Sequence, residues 1–365
     1  HKPIDHASLF YAPVLRMKTS LSSILLRVAL PVLIGLGVTA WLFADEFGGK
    51  ALDTIDWNVQ MLVGFALACV FVVGRDFGLT WRFHTIAHPQ LTWRRSVRVD
   101  LMCAFTSAIT PSAVGGSALA VFYLNREGVS LGKAATLTLT TLLMDEMFFV
   151  VFCPVILLLI PNDLLFAQGT VDAGFMLGVR IVFWIVYAGI VVYTALLFMG
   201  IIAWPEAVAR FIKKAFGRRL LRRWRRSAYE MADNMVTTSR QLRQRSMRWW
   251  LNVFFATVVS WFSRYLVVNA LFWGFCPDAS GWLVFGRQFV IWVLLMVSPT
   301  PGGSGISEVI FATYYGDLVG SAQMALVMAL AWRLVSYYVY LVAGSLILPS
   351  YFRKKKKRMS CDAMS

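Results

Sequence analysis

The chain has 365 residues, 58% of them hydrophobic, and a mean hydropathy of +0.65, which lies outside the soluble globular range of about half apolar residues. Thirty-five Lys and Arg against 19 Asp and Glu leave a formal charge of +16. Near-uncharged segments separate the basic clusters, so the excess reads as the positive-inside bias of membrane loops and argues against a nucleic-acid partner.

Residues 1–20 are set apart as an N-terminal extension, and whether residues 1–16 are native is left open. His1 to Arg16 holds two prolines, whereas Met17-Lys18-Thr19-Ser20 before a long apolar run looks like a natural beginning. The run from Leu21 to Phe43 exceeds a signal-peptide core of about 7 to 15 residues and has no clear cleavage site, so it is read as a retained membrane helix. A span needs about 20 apolar residues. By that measure the clear candidates are 22–43, 57–75, 133–160, 174–203, 249–275 and 319–348. Two further apolar stretches, 98–124 and 282–313, are interrupted by Thr110-Pro111-Ser112-Ala113-Val114-Gly115-Gly116-Ser117 and by Pro299-Thr300-Pro301-Gly302-Gly303-Ser304-Gly305. Their centres are not expected to be regular helix.

Charge sets the orientation. The connections carrying Asp45, Glu46, Asp53 and Asp56, then Asp163 and Asp172, then Asp278, hold only Lys50 as a basic residue and are predicted to face outward. Arg82, Arg94, Arg95, Arg98, the block 210–248 and the tail from Arg353 to Arg358 are predicted to be cytoplasmic. Both constraints are met when the first broken segment enters and leaves on the cytoplasmic side and the second does so on the outer side. The resulting fold class is an all-α integral membrane protein, an inverted repeat of three transmembrane helices plus one re-entrant helical hairpin per half. The first repeat is 21–173 and the second 174–349, with a basic cytoplasmic insertion at 204–248 and a basic tail at 350–365; both termini are cytoplasmic. A shift of 187 residues places Gly115-Gly116-Ser117 on Gly302-Gly303-Ser304, Asp100 on Arg287 and Glu146 on Arg333.

Paired breaks in an inverted repeat point to a binding site near the bilayer midplane, because unwound backbone needs a cavity or protein partners. The expected substrate-binding residues are Gly115, Gly116, Ser117, Gly302, Gly303, Ser304 and Glu308. The glycines permit close approach, and the helix N-terminus after each break offers N–H groups to an anion such as a phospholipid headgroup. A tight turn and nothing more is the other reading of these motifs, and Glu308 is equally read as an N-terminal cap. The intramembrane charges are Asp145, Glu146, Arg264 and Arg333, and Asp145 or Glu146 is expected to neutralise Arg333 or Arg264. Asp100 and Arg287 are expected to face aqueous headgroup regions. Residues 204–248 interleave basic residues with Phe211, Ile212, Phe216 and Trp224, which fits an amphipathic helix on anionic lipid or a topogenic signal alone.

Cys69, Cys103, Cys153, Cys276 and Cys361 show no CxxC or Cys/His spacing. His84 and His88 are four apart but lack a local acidic partner, and no metal site is expected there. No nucleophile elbow, Walker loop or HExxH motif is present, so no catalytic residue and no cofactor is expected, and the chain is read as a non-enzyme.

Four segments carry a family likeness: Thr110-Pro111-Ser112-Ala113-Val114-Gly115-Gly116, Leu124-Asn125-Arg126-Glu127-Gly128-Val129-Ser130, Pro299-Thr300-Pro301-Gly302-Gly303-Ser304-Gly305 and Trp332-Arg333-Leu334-Val335-Ser336-Tyr337-Tyr338. The chain resembles the transmembrane region of the lysylphosphatidylglycerol synthase/flippase family over nearly all of its length after residue 20. The resemblance implies the lipid-flipping half without the C-terminal synthase domain. Many relatives have an acidic residue just after the first Gly-Gly, where Ser117-Ala118 stand here, which bears on whether the headgroup is cationic. The expected function is lipid translocation in a bacterial inner membrane, with a phospholipid or other lipid as substrate and anionic lipids at the basic loop; homo-oligomerisation is left open. A small-solute or ion-coupled secondary transporter, a lipid-modifying enzyme and a non-transporting scaffold for lipid-synthesis enzymes are the alternatives.

Overall fold

The computed structural model describes residues 58–110, 114–166, 173–217, 225–298, 300, 303 and 305–347. The expected span at 22–43, the extension 1–20 and the tail 350–365 lie outside the described residues, as do Gly302 and Ser304. In chain order the helices are α1 (Val59–Ala87), α2 (Trp93–Ile109), α3 (Val114–Arg126), α4 (Leu131–Leu159), the short α5 (Asn162–Leu165) and α6 (Ala173–Phe198). They continue with α7 (Pro205–Phe216), α8 (Arg225–Arg243), α9 (Met247–Phe275), α10 (Gly281–Leu295), α11 (Ile306–Val319) and α12 (Ala322–Arg333). A wider π turn, Met199–Ala203, extends α6, and a second, Leu334–Tyr338, carries α12 onward.

Among the described residues, five helices are long and apolar enough to cross a membrane: Val59–Ala87, Leu131–Leu159, Met176–Ala203, Met247–Phe275 and Gln323–Ile347. Each falls on an expected span, although the first runs well past residue 75. A 29-residue helix is about 43 Å long at about 1.5 Å per residue, more than a hydrocarbon core of about 30 Å, so these helices tilt or protrude. Helices are the form that closes backbone hydrogen bonds within one segment where water is absent. Their starts are capped by side chains: Asn58, Ser246, Ser280 and Ser321 accept from the N–H groups of Met61, Trp249, Leu283 and Met324. Within α4, Pro154 supplies no N–H to the Val150 carbonyl, and the Tyr187 hydroxyl of α6 donates to that oxygen at 3.5 Å. Outward faces are apolar; α6 exposes Leu177, Ile181, Ile185, Val192 and Leu196.

The two interrupted stretches each form a pair of short helices, α2 with α3 and α10 with α11. The interruption differs from the expected one at the first pair, where α3 already begins at Val114, so Gly115, Gly116 and Ser117 lie in helix and not in the break. The most extensive interface joins α1 to α9. There a Cβ on Gly64 would come within 2.7 Å of the Ala270 oxygen and Gly274 Cα, one on Gly74 within 2.9 Å of Ser263 Oγ, and one on Gly78 within 2.7 Å of Ser260 N. Contacts descend α9 as they ascend α1, so the two helices are antiparallel. The element order also recurs. Moving Val59–Ala87 along by 187 residues gives 246–274, against Met247–Phe275; Trp93–Ile109 gives 280–296, against Gly281–Leu295.

The basic insertion is not a single surface helix. α7 and α8 pack on each other, tied by Lys213 to Asp233 at 2.5 Å and Arg240 to Glu206 at 3.3 Å, and α8 packs on α4. Gly132 makes that approach close, since a Cβ there would lie 2.4 Å from Asn234 Cβ. Glu206, in the first turn of α7, is held below its ordinary carboxylate range by a backbone N–H at the helix start, with Arg240 adding to the effect.

Candidate functional site

A cavity of about 350 Å³ opens where both helix pairs meet α1, α4, α9 and α12. The first pair contributes Asp100, Cys103, Ala104 and Ala120, and the second Trp292 and Leu295, followed by Thr300 and Gly303 from the connection. Asp145 and Glu146 enter from the middle of α4, Arg264 from α9, and Arg333, Ser336, Tyr337 and Tyr340 from α12 and its extension. The π turn that follows Arg333 widens the helix where it lines this space, a frequent arrangement at functional sites. A larger cavity of about 450 Å³ is lined by Phe152, Ile156, Phe262, Trp282, Phe285 and neighbours and carries no charged side chain. An aromatic cluster built on Phe148, Trp261, Tyr265 and Phe289 packs between residues of the two cavities.

The charges in the polar cavity fall into two groups. Some are satisfied by partners on other elements. Arg82 donates to Asp145 at 2.6 Å and to Thr257 at 3.3 Å, while the Trp261 indole N–H donates to Asp145 at 2.9 Å. Arg333 lies 3.0 Å from Glu308, both buried, with its guanidinium 3.8 Å from the centroid of the Tyr337 ring. Arg75 sits 3.8 Å from Asp76 and over the Tyr340 ring, whose hydroxyl donates to Asp76 at 2.7 Å.

The other group lacks such compensation. Arg264 is held between two indoles, 4.5 Å from the Trp261 centroid and 4.6 Å from that of Trp292, and among the described residues no carboxylate reaches ion-pair distance. Two cation–π contacts hold a guanidinium in low dielectric while leaving its N–H edges available for an anion. Among the described residues, the Trp292 indole N–H is enclosed without an acceptor. Glu146 Oε2 is likewise enclosed with no hydrogen-bond donor.

Several sequence expectations change here. Neither Asp145 nor Glu146 neutralises Arg333 or Arg264: the partner of Asp145 is Arg82 and that of Arg333 is Glu308, because α1 and α11 bring those groups closer. Glu308 caps α11, accepting from the Gly305 N–H and the Ser307 hydroxyl, each at 2.8 Å. The anion position expected at that helix end is therefore filled by the chain's own carboxylate. Asp100 and Arg287 do not face water; they are 3% and 1% exposed. Arg287 makes a bidentate pair with Asp317 at 2.5 and 2.7 Å and donates to the Leu164 and Tyr314 carbonyls, clamping α10 to α11 and α5. Gly303, at φ 72°, lines the cavity. His84 bonds the Leu91 carbonyl at 2.9 Å and stacks on Trp93.

Sequence reading did not single out Arg75, Trp261 or Trp292, and it placed Arg82 in a cytoplasmic loop. The spacing of seven between Arg75 and Arg82 puts both on one face of α1, and that of three between Trp261 and Arg264 sets ring beside cation. Those were the available signals.

The sequence model described as lysylphosphatidylglycerol synthase TM region matches residues 28–344. A UPF0104 membrane protein of Archaeoglobus fulgidus is 25% identical over 328 residues, covering 86% of this chain and 94% of its own length.

Proposed function

This chain belongs to the lysylphosphatidylglycerol synthase TM region family of membrane proteins, and from that membership and the polar cavity we propose that it moves an anionic phospholipid between leaflets. The observation that carries the reading is Arg264, a guanidinium without a carboxylate partner among the described residues, held between two tryptophans in a cavity to which both helix pairs contribute. About 350 Å³ lies at the small end of ligand sites, which run about 300–1,000 Å³. A headgroup fits there; acyl chains stay outside in the bilayer. The phosphodiester meets the Arg264 edge and the free Trp292 N–H, while apolar walls carry the glycerol end.

In this reading the two helix pairs are re-entrant hairpins entering from opposite faces of a cell membrane, with both termini cytoplasmic. The antiparallel contact of α1 with α9, its counterpart at a spacing of 187 residues, supports the inverted repeat. Two hairpins related in this way exchange access to one central headgroup site from either side.

The test uses fluorescent phosphatidylglycerol in vesicles containing the purified protein, with leaflet accessibility read by a membrane-impermeant quencher. Gly303→Val forces a β-branched residue to φ 72° beside the cavity, and Gly116→Val probes the first pair. Both variants are expected to slow exchange. Equal exchange by wild type and both variants would overturn the hairpin mechanism.

A further inference from the structure

Glu146 is left over by everything above. It sits halfway along a 29-residue membrane helix, lines the polar cavity, and has one carboxylate oxygen enclosed by protein with no donor among the described residues. Its neighbour Asp145 is in the opposite condition, bonded by the Arg82 guanidinium and the Trp261 N–H.

The groups facing Glu146 do not neutralise it. From α1, Arg82 is committed to Asp145 and Arg75 to Asp76 and the Tyr340 ring. From α12 and its extension, Arg333 pairs with Glu308, with Tyr337 and Tyr340 beside it. From α2 come Asp100 and Cys103, and from α6 the Tyr193 phenol, none of them cationic. From α9, Arg264 shares the cavity but is held by indoles, outside ion-pair distance. An ionised carboxylate without a partner is expensive at membrane depth, and the neutral acid avoids that cost.

Resting on the translocation reading above, we propose that Glu146 is a proton-binding site that couples lipid movement to the proton gradient, one proton travelling with each anionic headgroup. When the cavity is empty, Glu146 meets water through it and ionises. A phosphodiester bound at Arg264 brings a second negative charge into the same cavity and displaces that water, so Glu146 takes up a proton from the water on the same side. Carboxylate plus proton gives the acid, and the lipid anion plus Arg264 gives a neutral pair. The loaded cavity then holds no net charge from substrate and proton, which makes exchange across the low-dielectric interior inexpensive. On the far side the lipid leaves, water returns to the cavity, and Glu146 releases its proton there. Binding of each partner strengthens binding of the other, as linkage requires.

The experiment places purified protein in phosphatidylcholine vesicles with a trace of fluorescent phosphatidylglycerol, with and without a pH difference of about one unit across the membrane. One proton per lipid predicts a leaflet ratio shifted up to about tenfold toward the alkaline side, abolished by a protonophore and unchanged by a potassium diffusion potential. Glu146→Gln is expected to give one leaflet ratio whether or not the gradient is present, and Glu146→Asp to restore the response. Wild-type exchange that ignores the gradient would overturn the coupling while leaving translocation standing. A gradient response retained in Glu146→Gln would overturn the assignment to Glu146. Absence of exchange by wild type above protein-free vesicles would overturn the translocation reading and the coupling with it.

Discussion

Arg82 of α1 and Asp145 of α4 are joined by a 2.6 Å charged hydrogen bond in the wall of the polar cavity. The arginine side chain is 4% exposed and the aspartate 24%, so the cation depends on this partner more than the anion does. Removing the carboxylate leaves a buried guanidinium whose remaining hydrogen bond among the described residues is the one to Thr257. Asp145→Leu is expected to lower stability by about 3–5 kcal/mol, and the double variant Arg82→Met/Asp145→Leu to regain most of it. Denaturant unfolding in detergent, followed by tryptophan fluorescence, checks both.

Glu308 serves two purposes, capping α11 and balancing Arg333. Glu308→Gln keeps an oxygen for the Gly305 N–H but removes the charge, whereas Glu308→Ala loses both. The alanine variant is expected to be less stable than the glutamine variant by about 1 kcal/mol, the typical worth of a helix cap. Equal stabilities would show that the cap contributes nothing.

The long apolar helices were legible because an uninterrupted run of apolar residues at membrane depth permits little besides helix, and the Pro-Gly clusters marked both interruptions. What could not be read was which charge meets which. Arg82 looked like a loop residue because hydropathy falls after Arg75-Asp76, yet α1 continues to Ala87 by burying its charged turns against α2 and α4. Arg287 likewise reads as an interfacial charge until the fold supplies Asp317 and the Leu164 carbonyl, 123 residues away in sequence. Of the cavity's lining residues, Gly303, Glu146 and Arg264 stood out in the sequence, while the aromatic clamp depends on Trp292 arriving from the second helix pair.

The antiparallel α1–α9 interface predicts sharp intolerance at its small residues. A Cβ on Gly78 would meet backbone atoms of Ser260 and Ala256 at 2.7 and 2.8 Å, which cannot rotate away. Gly78→Val is expected to destabilise by about 1–3 kcal/mol through overpacking, and Gly178→Val, with nothing within 4 Å, by less than about 0.5 kcal/mol. Thermal unfolding of the two variants side by side measures the contrast.

Opposed hairpins make a topological prediction. Ser130 and Asp278 are both exposed, the first after the α2–α3 pair and the second before the α10–α11 pair. In a background without native cysteines, Ser130→Cys is expected to react with an impermeant maleimide only from the cytoplasmic side, and Asp278→Cys only from the outside. Labelling of both from one side would remove the inverted arrangement.

The most direct measurement is exchange of fluorescent phosphatidylglycerol between vesicle leaflets, comparing wild type with Arg264→Gln at matched folding stability. Loss of a charged hydrogen-bonding group worth about 1.5–3 kcal/mol predicts exchange slowed about tenfold to a hundredfold, with Arg264→Lys failing to restore it because lysine lacks the planar fork that two indoles clamp. Exchange by Arg264→Gln at the wild-type rate would contradict headgroup transport through this cavity.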